Sequence, residues 1–261
     1  MIIACAYLPV EVEKNPNTNT WEITGSSDSM YHIMYRISRN YPKVIWVGFL
    51  KRYFLIPEDE REQVVTLLKK QRFFCIKITE DVHKGFQEYM NVILISLFQY
   101  YSLFKDLYLI KNYDSLWKAY KEFNHSISKA VVENITTNEA LIFINDYNLL
   151  LTPSFIHHNI QNIQNSETNV SIGLFMHRPF PASDSYRRLP NREEIIQSMM
   201  NCSSIFFHSY EATRNFITNC MRMDNINFES TKNGDLALNY FGRDVLIEVK
   251  QFSSEHKIIQ V

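Results

Sequence analysis

Three polar side chains each follow an apolar run of the kind that forms a buried strand. Asp146 comes after Ala140–Asn145 (ALIFIN), His177 after Val170–Met176 (VSIGLFM), and His208 after Ser204–Phe207 (SIFF). Open parallel sheets bind ligands at the carboxyl ends of their strands, so these three positions can converge on one edge. Asp146 suits a sugar hydroxyl as a hydrogen-bond acceptor, and equally suits the backbone N–H groups of its own turn. His177 can donate to a hydroxyl or a developing oxyanion, or serve as a hydrogen-bonded structural histidine. His208 precedes a helix start and reads first as structural. Arg178 offers a bidentate fork for a phosphate, with a pairing to Asp184 or Glu193 as the alternative. Pro179-Phe180-Pro181 stiffens the loop that carries it.

Other chemistries are absent by pattern. Only 6 of the 261 residues are glycine, against about 7% in an average soluble chain. None of the six falls in a G-x-G-x-x-G or G-x-x-x-x-G-K loop. There is no G-x-S-x-G and no H-E-x-x-H. The adjacent His157 and His158 diverge on a helix and make a poor metal pair. Cys5, Cys75, Cys202 and Cys220 lie far apart without C-x-x-C spacing, which reads as reduced thiols in a cytosolic chain. The residues imply no cofactor and no metal. Basic and acidic residues nearly cancel, 27 against 28, a balance that speaks against nucleic acid and acidic membranes. The uncharged stretch Tyr89–Phe104 carries Asn91, Ser96, Gln99 and Ser102, so it reads as a buried helix and not a membrane span.

The elements that must position these residues alternate. Ile2–Ala6, Val44–Phe49 and Phe73–Ile78 read as further strands. Glu58–Gln71 reads as a helix opened by acids and closed by Lys69–Lys70. A long helix runs from an Asp114 N-cap to about Asn134, with Leu116, Tyr120, Phe123, Ile127 and Val131 as its buried stripe. Thr152 as N-cap and Pro153 at the first helical position open a helix to about Gln164. Asn191 with Glu194 forms a capping box for a helix to Met200, and Ser209 caps one to about Arg222. Leu236–Tyr240 and Val245–Val249 flank Gly242 as a hairpin, and Pro16–Ser29 and Gln161–Asn169 read as loops. With 46% hydrophobic residues, the chain supports an α/β fold, a Rossmann-like parallel sheet with helices on both faces.

The loop segments carry a resemblance. Leu174–Pro190 (LFMHRPFPASDSYRRLP) followed by Asn191-Arg-Glu-Glu resembles the "FLH-x-PFPSSE-x-FR-x-LP-x-REE" stretch of trehalose-6-phosphate synthases, glycosyltransferase family 20. Ile144–Pro153 (INDYNLLLTP) resembles their "VHDYHLMLLP", and Phe206–Phe216 their "GFHT-x-x-YARHF". Asn239–Val245, Tyr7–Val10 and Trp46–Gly48 resemble "YYGR-x-V", "NRLPV" and "WVG". The long first half looks closest to the plant-type branch, which carries a phosphatase-like domain downstream. The resemblance implies one half of a GT-B fold of two Rossmann-like domains, moving glucose from UDP-glucose to glucose 6-phosphate. Residues 1–261 match only the acceptor-side domain. The donor-binding domain, with the groups that neutralise UDP, belongs beyond Val261 or on another chain.

By that resemblance Asp146 and His177 are the retained site residues, positioning the acceptor and the transferred glucose, with Arg178 beside them. Several positions depart from the pattern. The Arg of "NRLP" is Tyr7, and the glycine pair falls around Asp28-Ser29. The acceptor-binding Tyr aligns with Phe86 and its partner Trp with Ile95, while both His of "HDYH" are Asn145 and Asn148. Two functions follow. One is the acceptor domain of a glucosyltransferase completed by a donor domain. The other is a degenerate, non-catalytic module, regulatory or structural, that acts through a protein partner and can still hold a sugar phosphate.

Overall fold

The computed structural model describes residues 1–26, 29–41, 43–98, 110, 112–162, 169–230 and 236–250, with the side chains of 29–32 and 37–38 left aside. In chain order the elements run β1 (Ile2–Tyr7), β2 (Val10–Lys14), β3 (Trp21–Gly25), α1 (Ser29–Asn40), β4 (Ile45–Phe49), α2 (Arg61–Lys70) and β5 (Phe73–Cys75). Then come α3 (Glu80–Glu88), a π-helical stretch (Tyr89–Leu94), α4 (Ile95–Phe98), α5 (Tyr113–Glu133), β6 (Glu139–Asn145) and α6 (Thr152–Asn162). The second half continues with β7 (Asn169–Met176), α7 (Ser183–Tyr186), α8 (Arg192–Met199), β8 (Ser204–Phe207) and α9 (Tyr210–Cys220). It ends with β9 (Ile226–Ser230), β10 (Leu236–Tyr240) and β11 (Arg243–Val249).

Among the described residues, one nine-stranded sheet has the order β5-β4-β1-β6-β7-β8-β11-β10-β9. Every pairing from β5 through β11 is parallel; β10 pairs antiparallel with both β11 and β9. From β1 the chain moves outward to β4 and β5, then returns to pair β6 on the other side of β1. Right-handed crossovers in opposite directions place helices on opposite faces. Strand order therefore reverses between β1 and β6, and that switch point opens the crevice where such sheets bind ligands.

The strands form because apolar residues recur at alternate positions: Ile142, Ile144, Leu174, Met176, Ile205 and Phe207, in register on one face, are completely buried. The stripe on α5 holds as read, with Leu116, Tyr120, Phe123, Ile127 and Val131 at 3% exposure or less. Ser209 caps α9 by accepting from the Ala212 N–H at 3.2 Å. The β10–β11 hairpin turns through Phe241 and Gly242, both at positive φ, as a two-residue turn requires.

Several local readings are corrected. Asp114 is not the N-cap of α5; Asn112 occupies that place without a side-chain bond, and Asp114 lies in the first turn. The Asn191–Glu194 capping box does not form, because Asn191 Oδ1 is taken by the Tyr113 hydroxyl at 2.6 Å. Thr152 sits inside α6 and donates to Asn124 Oδ1 at 3.0 Å. Glu58–Glu60 form a 3-10 turn ahead of α2, and β5 ends at Cys75. The supposed loop Pro16–Ser29 contains β3, which pairs antiparallel with β2 in a separate hairpin. Its Trp21/Ile23 alternation with Glu22/Thr24 was the signal. Strand β9 was not anticipated. The Tyr89–Phe104 stretch is helical as far as Phe98, and residues 99–104 lie outside the described residues, as do Asp28, Gly234 and most of the Gln161–Asn169 loop. No helix among the described residues is long and apolar enough to cross a membrane.

Candidate functional site

The loop after β6 is built from below by α5. Buried Asn124 accepts from the Leu151 N–H (3.2 Å) and the Thr152 hydroxyl (3.0 Å), and donates to the Asn148 carbonyl. Buried Tyr120 donates its hydroxyl to the Tyr147 carbonyl and accepts from the Leu150 N–H at 3.1 Å. The loop after β7 is held by α9, where Asn215 donates to the Phe180 carbonyl and Asn219 to that of Pro181. Both loops are thus fixed by side-chain amides and a phenol, which satisfy backbone groups that no ladder reaches.

Asp146 ties the two loops together. Its N–H donates to the Phe175 carbonyl (2.8 Å), and its Oδ1 accepts from the N–H groups of Tyr147 (2.9 Å) and His177 (3.1 Å). The backbone-binding role is therefore present, across two strands and not only within its own turn. The backbone at Asp146 has φ 72° and ψ 170°, a region that glycine alone enters freely and that costs a side-chain residue about 1–3 kcal/mol. Burial pushes its carboxyl up to about 6, against the backbone donors and Arg178, which pull it down.

His177 is brought to the same edge, and His208 joins it. His177 Nε2 lies 2.9 Å from Asn145 Oδ1, which can only accept, so Nε2 carries the proton. Nδ1 is then the acceptor facing His208 Nε2 at 3.4 Å. Phe175 lies against both rings, with centroids at 4.6 and 4.9 Å. Burial first, and the neighbouring His208 second, drop the His177 imidazole to about 4, so it is neutral at physiological pH. Asp184 and Glu193 meet Arg187 and Arg192. Arg178 turns to Tyr147 instead. Its guanidinium lies 5.6 Å from the centroid of the Tyr147 ring and bonds the Tyr147 hydroxyl.

Beside this cluster, at the β1–β6 switch point, a cavity of about 180 Å³ opens. Tyr7 from the end of β1, Tyr147 and Asn148 from the loop after β6, and one face of α3 with the π-helical stretch line it. That face presents Phe86, Gln87, Met90, Asn91 and Ile95. Four of the positions that depart from the family pattern (Tyr7, Phe86, Ile95 and Asn148) meet here. Gln87 and Asn91 were not singled out in the sequence, although their i, i+4 spacing beside Phe86 and Met90 was visible. A π-helical turn, rare in itself, recurs at functional sites. Tyr7 approaches His83 Nε2 at 3.2 Å and hydrogen-bonds Gln87; burial pushes its phenol up to about 12. Phe86 stacks on Phe123 with centroids 3.7 Å apart. A second cavity, about 200 Å³, lies along α8 and α9, with Arg187, Arg192, Arg222 and Glu193 in its wall. The described residues hold no cluster of three metal-ligating side chains.

Residues 1–260 match Glycosyltransferase family 20. The chain belongs to this family. The family-20 chain is 32% identical over 252 residues to the Arabidopsis thaliana "Probable alpha,alpha-trehalose-phosphate synthase (UDP-forming) 10", covering 95% of this chain and 28% of that one. Among solved structures, the N-terminal domain of Candida albicans trehalose-6-phosphate phosphatase superposes with a TM-score of 0.73 at 18% identity, over 97% of this chain and 48% of that one. The alpha,alpha-trehalose-phosphate synthase (UDP-forming) of Burkholderia xenovorans, solved in complex with glucose-6-phosphate, gives 0.66 at 15% identity, over 97% and 50%. The mostly parallel sheet is thus one half of the GT-B architecture. The family-20 chain spans little more than a quarter of its plant relatives' length and about half of the solved neighbours'.

Proposed function

We propose that this domain is the acceptor-side half of a trehalose-phosphate-synthase-like protein, and that as this chain it binds a sugar without transferring glucose. The observation that carries this reading is the state of His177. Nε2 is committed to Asn145, Nδ1 faces His208, and the ring is neutral with its pKa near 4. The role open to His177 is to donate to a hydroxyl or a developing oxyanion, and the single N–H of the neutral ring is already given to Asn145. The domain then serves its protein through a partner surface or as a sugar-responsive module. The Candida albicans neighbour is the N-terminal domain of a phosphatase, a setting in which this half-fold accompanies a different chemistry. The four free cysteines, three of them fully buried, suit a reducing compartment such as the cytoplasm. The test is UDP release from UDP-glucose and glucose 6-phosphate. No turnover is expected; turnover that His177→Ala abolishes overturns the reading.

A second reading has its own support. Asp146 and His177 stand beside the cavity at the carboxyl edge, where an acceptor site in a GT-B half belongs. Under it, a donor-binding domain supplied elsewhere completes a transferase. Mixing the chain with the donor half of the Arabidopsis thaliana relative and measuring UDP release tests it, with activity above either half alone as the supporting result.

A further inference from the structure

We propose that the cavity along α8 and α9 is a second ligand site, one that takes a phosphomonoester group carried by a small molecule. It shares no lining residue with the cavity at the β1–β6 switch point, and it stands whether or not that cavity holds a sugar.

Three guanidiniums reach this cavity from three segments of chain. Arg187 follows α7, Arg192 opens α8, and Arg222 follows α9. The segments are cross-linked by buried side chains that also line the cavity. The Tyr186 hydroxyl donates to the Arg192 carbonyl at 2.9 Å and joins α7 to α8. Asn219 donates to the Pro181 carbonyl at 3.2 Å and joins α9 to the loop ahead of α7. Tyr186 and Asn219 are 1% and 5% exposed. Cations that repel one another are thus gathered on one wall by the frame beneath them, and a ligand need not order that frame.

The charge selects the ligand. The lining holds three arginines and Glu193, 3 − 1, a balance of +2. A phosphomonoester carries about −1.5 to −2 at pH 7 and offers each guanidinium two oxygens in the fork geometry. A single carboxylate leaves one cation of the wall unmatched. Arg192 meets Glu193 at 3.0 Å, and Arg187 meets Asp184 at 3.7 Å. Both are exposed pairs between near neighbours in sequence, of the weak kind that a dianion can displace. The Ser183 hydroxyl adds a neutral donor, and Ile196 with the Tyr186 ring gives the body of the ligand an apolar floor. Size sets the rest. At roughly 30 Å³ per water, a cavity of about 200 Å³ holds about six or seven waters, room for a phosphate and a few more heavy atoms.

The test is calorimetry on the full chain with inorganic phosphate, glycerol 3-phosphate, glycerol and a phosphoserine peptide. Each is titrated into wild type and Arg222→Gln, and only heat that Arg222→Gln removes is counted, so binding at the switch-point cavity does not enter. Saturable binding of inorganic phosphate and glycerol 3-phosphate, and none of glycerol, is the expected result. Arg187→Gln and Arg192→Gln should each weaken it about tenfold, the loss of one charge-assisted contact. Glu193→Gln should tighten it, because Arg192 is released from its pair. Lys70→Gln removes the same charge from α2, remote from the cavity, and should change nothing. Every one of these side chains is partly or fully exposed, so the variants should fold. Absence of Arg222-dependent heat, or equal weakening by Lys70→Gln, overturns the site. Weaker binding in Glu193→Gln overturns the charge argument. A phosphoserine peptide that binds more tightly than glycerol 3-phosphate overturns the small-molecule ligand.

Discussion

At the ends of β6, β7 and β8 the polar side chains bond to one another and to backbone, whereas at the ends of β1 and β6 they line open space. In the first region Asp146 Oδ1 accepts two N–H groups, and His177 is engaged at both ring nitrogens. In the second, amides and phenols surround a cavity without a charge among its described walls. The contrast has a physical explanation. A side chain that also stitches two strands together cannot be exchanged without loosening the fold. One that only met a ligand can be: the departures at Tyr7, Phe86, Ile95 and Asn148 fall in that open wall, while the departure at Asn145 falls in the stitched region and keeps a hydrogen bond to His177. Persistence of Asp146 and His177 is thus accounted for by structure, before any appeal to chemistry.

The largest expected effect breaks the stitched region. Asp146→Ala removes the acceptor of two backbone N–H groups while keeping a Cβ at φ 72°, and should destabilise by about 2–4 kcal/mol in urea unfolding. Asp146→Gly loses the same bonds but relieves the backbone, so it should be milder than Ala by about 1–3 kcal/mol. Equal losses for Ala and Gly would remove the strain from the account.

The next effect is a pH dependence in which the two groups oppose each other. The Asp146 carboxyl is raised from 3.8 to about 6. The native state therefore holds that proton more tightly, and burial costs about 3 kcal/mol above pH 6, a cost that vanishes as pH falls toward 3.8. His177 is lowered from 6.5 to about 4, so the unfolded chain takes that proton first and stability is lost as pH falls from 6.5 toward 4. The two slopes offset between pH 4 and 6. Asp146→Asn should leave the His177 slope, with stability falling on acidification, and His177→Gln should leave the opposite slope. Parallel profiles for the two variants would show that the pair does not set the pH response.

A smaller shift tests the histidine contact. Burial is the leading cause of the low His177 pKa and His208 the second. In His208→Gln the His177 imidazole, followed by NMR titration, should rise but stay below 6.5. A full return to 6.5 would make the neighbouring charge, and not burial, the main cause.

The fold was largely legible because its signals are strong: continuous apolar strands, the five-residue stripe on α5, the Ser209 cap and the Gly242 turn. What failed were local contests decided by distant partners. Asn191 has cap chemistry in sequence, but Tyr113, 78 residues away, takes its oxygen. Thr152 reads as a cap, but Asn124 takes its hydroxyl. In the candidate site, the edge positions of Asp146, His177 and His208 followed from strand ends alone. The wall formed by Gln87 and Asn91 did not: their i, i+4 spacing places them on one helix face, but nothing in the sequence says that this face meets the end of β1.

The smallest expected effect sharpens the comparison from the open side. Tyr7 is the lining residue closest in character to Asp146, since it ends a strand and reaches a buried neighbour, His83, at 3.2 Å. Both rings are largely screened from water, and burial lowers the His83 pKa, with Glu80 pulling the other way. Such a bond contributes about 1 kcal/mol. Tyr7→Phe keeps the ring on His83 and removes only the hydroxyl, so urea unfolding should show a loss of about 1 kcal/mol or less. If the cavity holds a sugar, the same variant should weaken glucose binding in calorimetry, because Tyr7 lines it. A stability loss above about 2 kcal/mol with ligand binding unchanged would assign Tyr7 to the stitched region with Asp146, and the boundary between the two would then run through β1 itself.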